Sequence, residues 1–171
     1  MFNLKRSLVA ASLMAVAALA SVSMPAQAAG GGGGVGIDNL TISPEASLVA
    51  KLAVSVTVTY TCQPVFDPST NTFDVNMSSN AFVSVQERTG HTVANGSAIA
   101  FGTAVCDEHL AATPTINSVT VLVQPTTFPT ASDPFKNGTA LVSTSVGACP
   151  VSFFPLPCDF GNAGPSIISI K

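Results

Sequence analysis

The stretch that most limits what this chain can become is Ala53-Val-Ser-Val-Thr-Val-Thr-Tyr-Thr-Cys62. Val54, Val56, Val58, Tyr60 and Cys62 fall on one side of an extended backbone, and Ser55, Thr57, Thr59 and Thr61 on the other. Side chains alternate across a strand with a period of two, so this decapeptide reads as a half-buried β-strand that ends in a cysteine. A helix would scatter the same valines around its circumference. The expectation is that other strands pack on the apolar face and that Cys62 staples this strand to a partner.

The same alternation recurs along the chain, punctuated by turn residues. Leu40–Ser43, stopped by Pro44, and Ala46–Ala50 read as short extended pieces. Gln63 to Asn80 carries Pro64, Asp67, Pro68, Asn71, Asp74, Asn76 and Asn80 and reads as a long polar loop with a short strand near Thr72–Val75. Ala81–Gln86 resumes the alternation, Arg88-Thr89-Gly90-His91 reads as a hairpin turn, and Asn95-Gly96 as another. Ala98–Cys106, kinked at Gly102, Thr115–Gln124, Thr139–Ala148 and Ser166–Ile170 complete the strands, and Glu108–Ala112 is long enough for one helical turn. No other segment after the first 28 residues sustains a helical period. About seven to nine strands with turns every ten residues or so predict an all-β, antiparallel, two-sheet sandwich with an immunoglobulin-like layout. A small barrel is the runner-up.

The N-terminus reads as an address. Lys5 and Arg6 precede an uncharged apolar run, Leu8–Val22, and then the small-x-small site Ala26-Gln27-Ala28. That is the pattern of a secretory signal peptide over 1–28, and the apolar run is short for a membrane span. Residues 29–37 form a Gly-rich linker, and 38–171 the β-domain. A phosphate-binding loop would need a strand before the glycines and a helix after them, and neither is present. Neither a lipid-attachment cysteine at the cleavage point nor a second long apolar run near Lys171 is found, so a secreted, extracellular chain with no membrane span after processing is expected.

Removing Lys5 and Arg6 moves the formal charge from −3 to −5 and leaves four basic residues, Lys51, Arg88, Lys136 and Lys171. Nucleic-acid binding needs a basic footprint, which is missing. In an exported chain the four cysteines imply two disulfides, with Cys62–Cys106 and Cys149–Cys158 favoured because each pair is consecutive in sequence. A four-cysteine zinc site lacks its close Cys pairs.

Residues that could carry chemistry are few. His91 and His109 are the only histidines, both in predicted turns, and no nucleophile-elbow motif accompanies them. Asp107-Glu108-His109 could hold a metal or exchange a proton, or be a solvated loop beside a disulfide. Asp67, Asn71 and Asp74, with Asn76, put oxygen-bearing side chains in one loop, as calcium sites do, although Asp and Asn are also plain turn formers. Asn39, Asn76, Asn95 and Asn137 each begin an Asn-x-Ser/Thr sequon. Phe128, Phe135, Phe153 and Phe154, with Phe160, cluster in the C-terminal third. They either plug the ends of the sandwich or line a site for a small apolar ligand. No cofactor is implied.

Four pieces occur in a familiar order: Val56–Cys62, Val83–Gln86, Val105–Asp107 and Pro134–Ala140. In these the chain resembles small exported bacterial proteins of actinobacterial type with an immunoglobulin-like sandwich, over most of residues 40–150. The resemblance implies export and fold and no activity. The tail from Gly161 to Ile170, following a close cysteine pair, is similar to enediyne-antibiotic apoproteins of the neocarzinostatin type. That likeness implies a seven-stranded sandwich that holds a small apolar ligand in a cleft. The chain departs from those apoproteins in the Gln63–Asn80 loop and the wide Cys62–Cys106 spacing. Three functions are thus set against one another: a non-enzymatic adhesion, cell-surface or assembly module with a protein or cell-surface partner; a carrier of a small apolar molecule; and, last, an extracellular hydrolase.

Overall fold

A computed structural model of the protein describes residues 36–50, 52–127, 131–151 and 158–171. The predicted signal peptide and most of the Gly-rich linker lie outside them. Among the described residues ten strands are formed: β1 (Ile37–Ile42), β2 (Glu45–Val49), β3 (Ala53–Cys62), β4 (Val65–Asp67), β5 (Thr72–Asp74), β6 (Asn76–Thr89), β7 (Thr92–Val105), β8 (Asn117–Val123), β9 (Gly138–Pro150) and β10 (Asp159–Ile170). No helix occurs among the described residues. Ile37 already belongs to β1 and is buried, so the domain begins one residue earlier than the composition suggested.

β3 is the hub. Along one edge it pairs with β1 through Val58–Cys62 and with β2 through Ala53–Ser55; along the other it pairs with β8 through Val54–Tyr60. The alternation in its sequence becomes a buried face of Val54, Val56, Val58, Tyr60 and Cys62. β2 then connects this group to a second one, in the order β10-β9-β6-β7, so that eight strands make one sheet. The sheet folds back on itself: β1 lies against β9 and β10, and β8 against β6 and β7. The β3 valines, Val121 and Val123 meet Val83, Val85, Val142, Val146 and Ile168 in a single core.

The sheet is mixed, where a wholly antiparallel one was expected. Pro44 interrupts the hydrogen bonding after β1 because it has no N–H, and the chain continues in the same direction as β2. β10 runs the same way, so Glu45 and Ala46 pair in parallel with Ser169 and Ile170.

Other departures have local causes. Within the polar Gln63–Asn80 stretch, β4 and β5 form a two-stranded hairpin, and β6 starts at Asn76. Asn95-Gly96 is not a turn: both residues sit inside β7, opposite Gln86 and Val85. Gly102 causes no shift in the β6–β7 register, which runs unbroken from Asn76–Val105 to Thr89–Thr92. Glu108–Ala112 makes turns, in which Leu110 and Ala111 N–H groups donate to the Asp107 carbonyl. β10 starts at Asp159 and passes through Pro165, at a bulge between Ala163 and Ser166 where the missing N–H is tolerated.

Both disulfides join the expected partners. Cys62–Cys106 ties the end of β3 to the residue after β7, with Cα atoms 4.5 Å apart, and Cys149–Cys158 closes the β9–β10 connection, with Cα atoms 4.3 Å apart.

Candidate functional site

The outer face of β6, β7, β9 and β10 carries exposed apolar side chains from all four strands. On this face Phe82 stands opposite Ile99 of β7 and Ser145 of β9. One row along, Asn80 stands opposite Phe101 and Gly147, and Gly147 opposite Phe160. Nearer the β6–β7 turn, Gln86 faces Leu141, which faces Ile167. Phe101 and Ile167 are each 76% exposed and Phe160 66%. Gly147 makes a seat for one ring: a Cβ there would lie 3.0 Å from Phe160 Cε1. Among the outward-facing residues of these four strands, Arg88 alone is charged. Large apolar side chains gathered on one face mark contact surfaces more often than single exposed ones do.

The face ends at β7, whose far edge is open. β7 pairs with β6 on one side only. On the other side it is pinned at its two ends. The Asn95 carbonyl accepts from Thr126 N–H, and Gly96 forms an isolated bridge with Pro125. At the other end Asn117 Oδ1 accepts from Val105 N–H, and Asn117 Nδ2 donates to the Val105 carbonyl. Between the pins no backbone hydrogen bond joins β7 to β8, so the runner-up closed barrel is not formed among the described residues.

A second feature is an apolar hollow of about 520 Å³ at the β2–β3 end, walled by Val49, Leu52, Leu122, Pro125 and Pro134, with Ser132 at its rim. The volume lies within the range of small-molecule sites. Of the aromatic residues proposed for ligand binding, Phe135 does not line it. It is 1% exposed and belongs to the core, because the Pro134–Lys136 segment is drawn in where the Lys136 N–H donates to the buried Glu87 carboxylate. Phe128, Phe153 and Phe154 lie outside the described residues.

The loop carboxylates are engaged in turn chemistry. Asp67 Oδ1 accepts from the backbone N–H and hydroxyl of Ser69, bonds that lower its pKa. Asn71 takes a left-handed conformation, φ 56°, in the β4–β5 turn. Asp74 Oδ1 accepts from Asn76 N–H. Asp67 and Asp74 border a shared surface depression with Thr72 and Asn76. Among the described residues no group of three or more His, Cys, Asp or Glu is gathered as metal ligands. Asp107 accepts from the Thr115 N–H and hydroxyl, which lowers its pKa and fastens the loop, while Glu108 accepts from the Thr61 hydroxyl. His91, in the β6–β7 turn, and His109, at φ 68°, are exposed. No hydrogen bond or ion pair links either ring to another described residue.

One carboxyl is out of place. Asp159, at the start of β10, is 2% exposed, and its Oδ2 has no hydrogen-bond partner among the described residues. Burial, and secondarily the charge of Asp38, push its pKa up to about 6. Sequence reading missed it because nothing local distinguishes a buried aspartate from a surface one.

Comparisons add no relative: no family model, no curated protein and no solved structure matches this chain.

Proposed function

We propose that this protein is an exported, immunoglobulin-like β-domain that acts by binding: an adhesion, cell-surface or extracellular assembly module with no bond-making of its own. The observation that carries this reading is the apolar face of β6, β7, β9 and β10, with Arg88 as its one charge, which ends in the edge of β7. Support for the layout comes from the sheet folded over one core and from the four-strand group β10-β9-β6-β7 packed on the β3 group. The two disulfides fit an oxidising compartment, in keeping with the predicted signal peptide.

The test is binding of oxidised material, beginning at Ala29, to producer cells and to extracellular matrix. Retention that is lost when Phe82 and Phe160 are both changed to Lys is expected. A protein that binds neither cells nor matrix and never self-associates overturns the reading.

The hollow walled by Val49, Leu52 and Leu122 supports a second reading, carriage of a small apolar molecule. Native mass spectrometry of secreted protein should then show an added mass that Leu122→Arg removes. A clean apo mass in the untouched protein rejects it.

A further inference from the structure

The open edge of β7 has a definite hydrogen-bonding pattern. Residues of an antiparallel strand alternate between pointing their N–H and C=O groups at one neighbour and at the other. Asn95 and Val105 both turn theirs away from β6, toward Thr126 and Ser132 at one end and Asn117 at the other. The β6–β7 register has no shift between them, so Ser97, Ile99, Phe101 and Thr103 also turn their N–H and C=O groups away from β6. At the Gly96–Pro125 bridge, where proline has no N–H to give, the Ser97 N–H is turned to the Gln124 carbonyl; among the described residues no backbone hydrogen bond reaches Ile99, Phe101 or Thr103 from that side. β8 runs beside this edge without forming a ladder with it, and Ala98 and Ala100, on the inner side, remain partly exposed and Gly102 exposed.

The whole of β7, Thr92–Val105, contains no charged residue and no proline. Charges, prolines and short length are the devices that keep edge strands from pairing with other chains. β7 has none of them over 14 residues.

We propose that β7 pairs antiparallel with β7 of a second copy of this chain, about a twofold axis beside Ala100. This deepens, and rests on, the reading of the protein as an assembly module. Four observations single out a second copy. An alternating donor–acceptor edge is its own complement under antiparallel pairing, so one segment supplies both sides of an isologous contact. The absence of charge removes like-charge repulsion between identical edges. With Ala100 opposite Ala100, Ile99 stands opposite Phe101 twice over. Both Ile99 and Phe101 are exposed, at 50% and 76%, on the side that also carries Phe82. The pairing would join two four-stranded groups into one continuous sheet with one continuous apolar face. A contact of one strand and a few side chains falls at the small end of interface sizes, so a dissociation constant on the order of micromolar is expected.

Sedimentation of the oxidised mature chain over roughly 1–500 µM, which brackets that constant, should show a monomer–dimer equilibrium. Two variants test it by different routes. Thr103→Pro removes one outward N–H at a position where an edge strand tolerates proline. Ile99→Lys with Phe101→Lys places charge on the pairing side. Each should weaken dimerisation at least tenfold while the melting temperature stays close to that of the parent. Register is read separately: a mixture of Ile99→Cys and Phe101→Cys chains should form the mixed disulfide in preference to either self-pair. A strict monomer, or a dimer indifferent to both variants, overturns self-pairing. A monomer that still binds cells or matrix overturns this inference alone. A monomer whose matrix binding is lost in Thr103→Pro overturns it in favour of a foreign strand. A parent chain that shows neither self-association nor binding overturns the assembly reading as well.

Discussion

Gly96 and Gln124 approach so closely that a Cβ on the glycine would stand 2.1 Å from the Gln124 carbonyl oxygen. The contact is backbone to backbone, so neither side can move aside cheaply. It sits next to the Gly96–Pro125 bridge and the Thr126–Asn95 hydrogen bond, and it closes one end of the β7–β8 seam. Gly96→Ala should therefore destabilise the protein by on the order of 2 kcal/mol, as overpacking does. Gly102→Ala is the control, since its nearest neighbour would be Ser79 Oγ at 3.7 Å. Urea midpoints compare the two; equal stability of both variants would contradict the close approach.

Phe135 separates core from ligand site. A fully buried phenylalanine cut to alanine costs roughly 3–5 kcal/mol through lost burial and the cavity left behind. Phe135→Ala should fall in that range, whereas Phe101→Ala, at 76% exposure, should change the stability of the monomer by less than about 0.5 kcal/mol. Thermal melts at low protein concentration decide this.

The two disulfides should contribute unequally. Cys62–Cys106 spans 44 residues and Cys149–Cys158 spans 9. On the chain-entropy account the longer loop stabilises by about 4 kcal/mol and the shorter by about 2.5 kcal/mol. Paired Cys→Ala variants measured in urea should rank in that order, with the Cys62/Cys106 variant the weaker fold.

Stability should vary with pH in two opposing steps. The pKa of Asp159 is raised to about 6 from 3.8, so the folded chain holds a proton that the unfolded chain has lost. That stabilisation is complete below about pH 4 and disappears as the pH rises through 6. Asp67 and Asp107 have lowered pKa values through their hydrogen bonds to Ser69 and Thr115, so their contribution is present above the ordinary carboxylate range and is lost as pH falls below it. Asp159→Asn should gain on the order of 1 kcal/mol relative to the parent at pH 7.5 and much less at pH 4.5. Urea midpoints at the two pH values measure the difference. A gain independent of pH would mean that Asp159 does not carry the titration.

Much of the fold could be read from the chain alone. The alternation of Val54, Val56, Val58 and Tyr60 requires a strand with one wet and one dry face. The four cysteines sort into consecutive pairs, as expected. Turn residues at Gly90 and Asn137-Gly138 locate the breaks that precede β7 and β9. These features are local, because period, punctuation and loop length act over a few residues.

The remaining features depend on contacts between residues far apart in sequence. Asn95-Gly96 looks like a turn in any local window, yet it lies within a long strand because the chain at Gln124 needs a surface without a side chain. Phe135 looks like a neighbour of the other loop aromatics, yet it is drawn into the core beside the Lys136–Glu87 hydrogen bond. Asp159 becomes a buried acid because of what β1 and β10 enclose. The edge status of β7 is likewise a property of the sheet. A strand's sequence sets which side chains share a face, and only the assembled strand order sets which backbone groups are left without a neighbour.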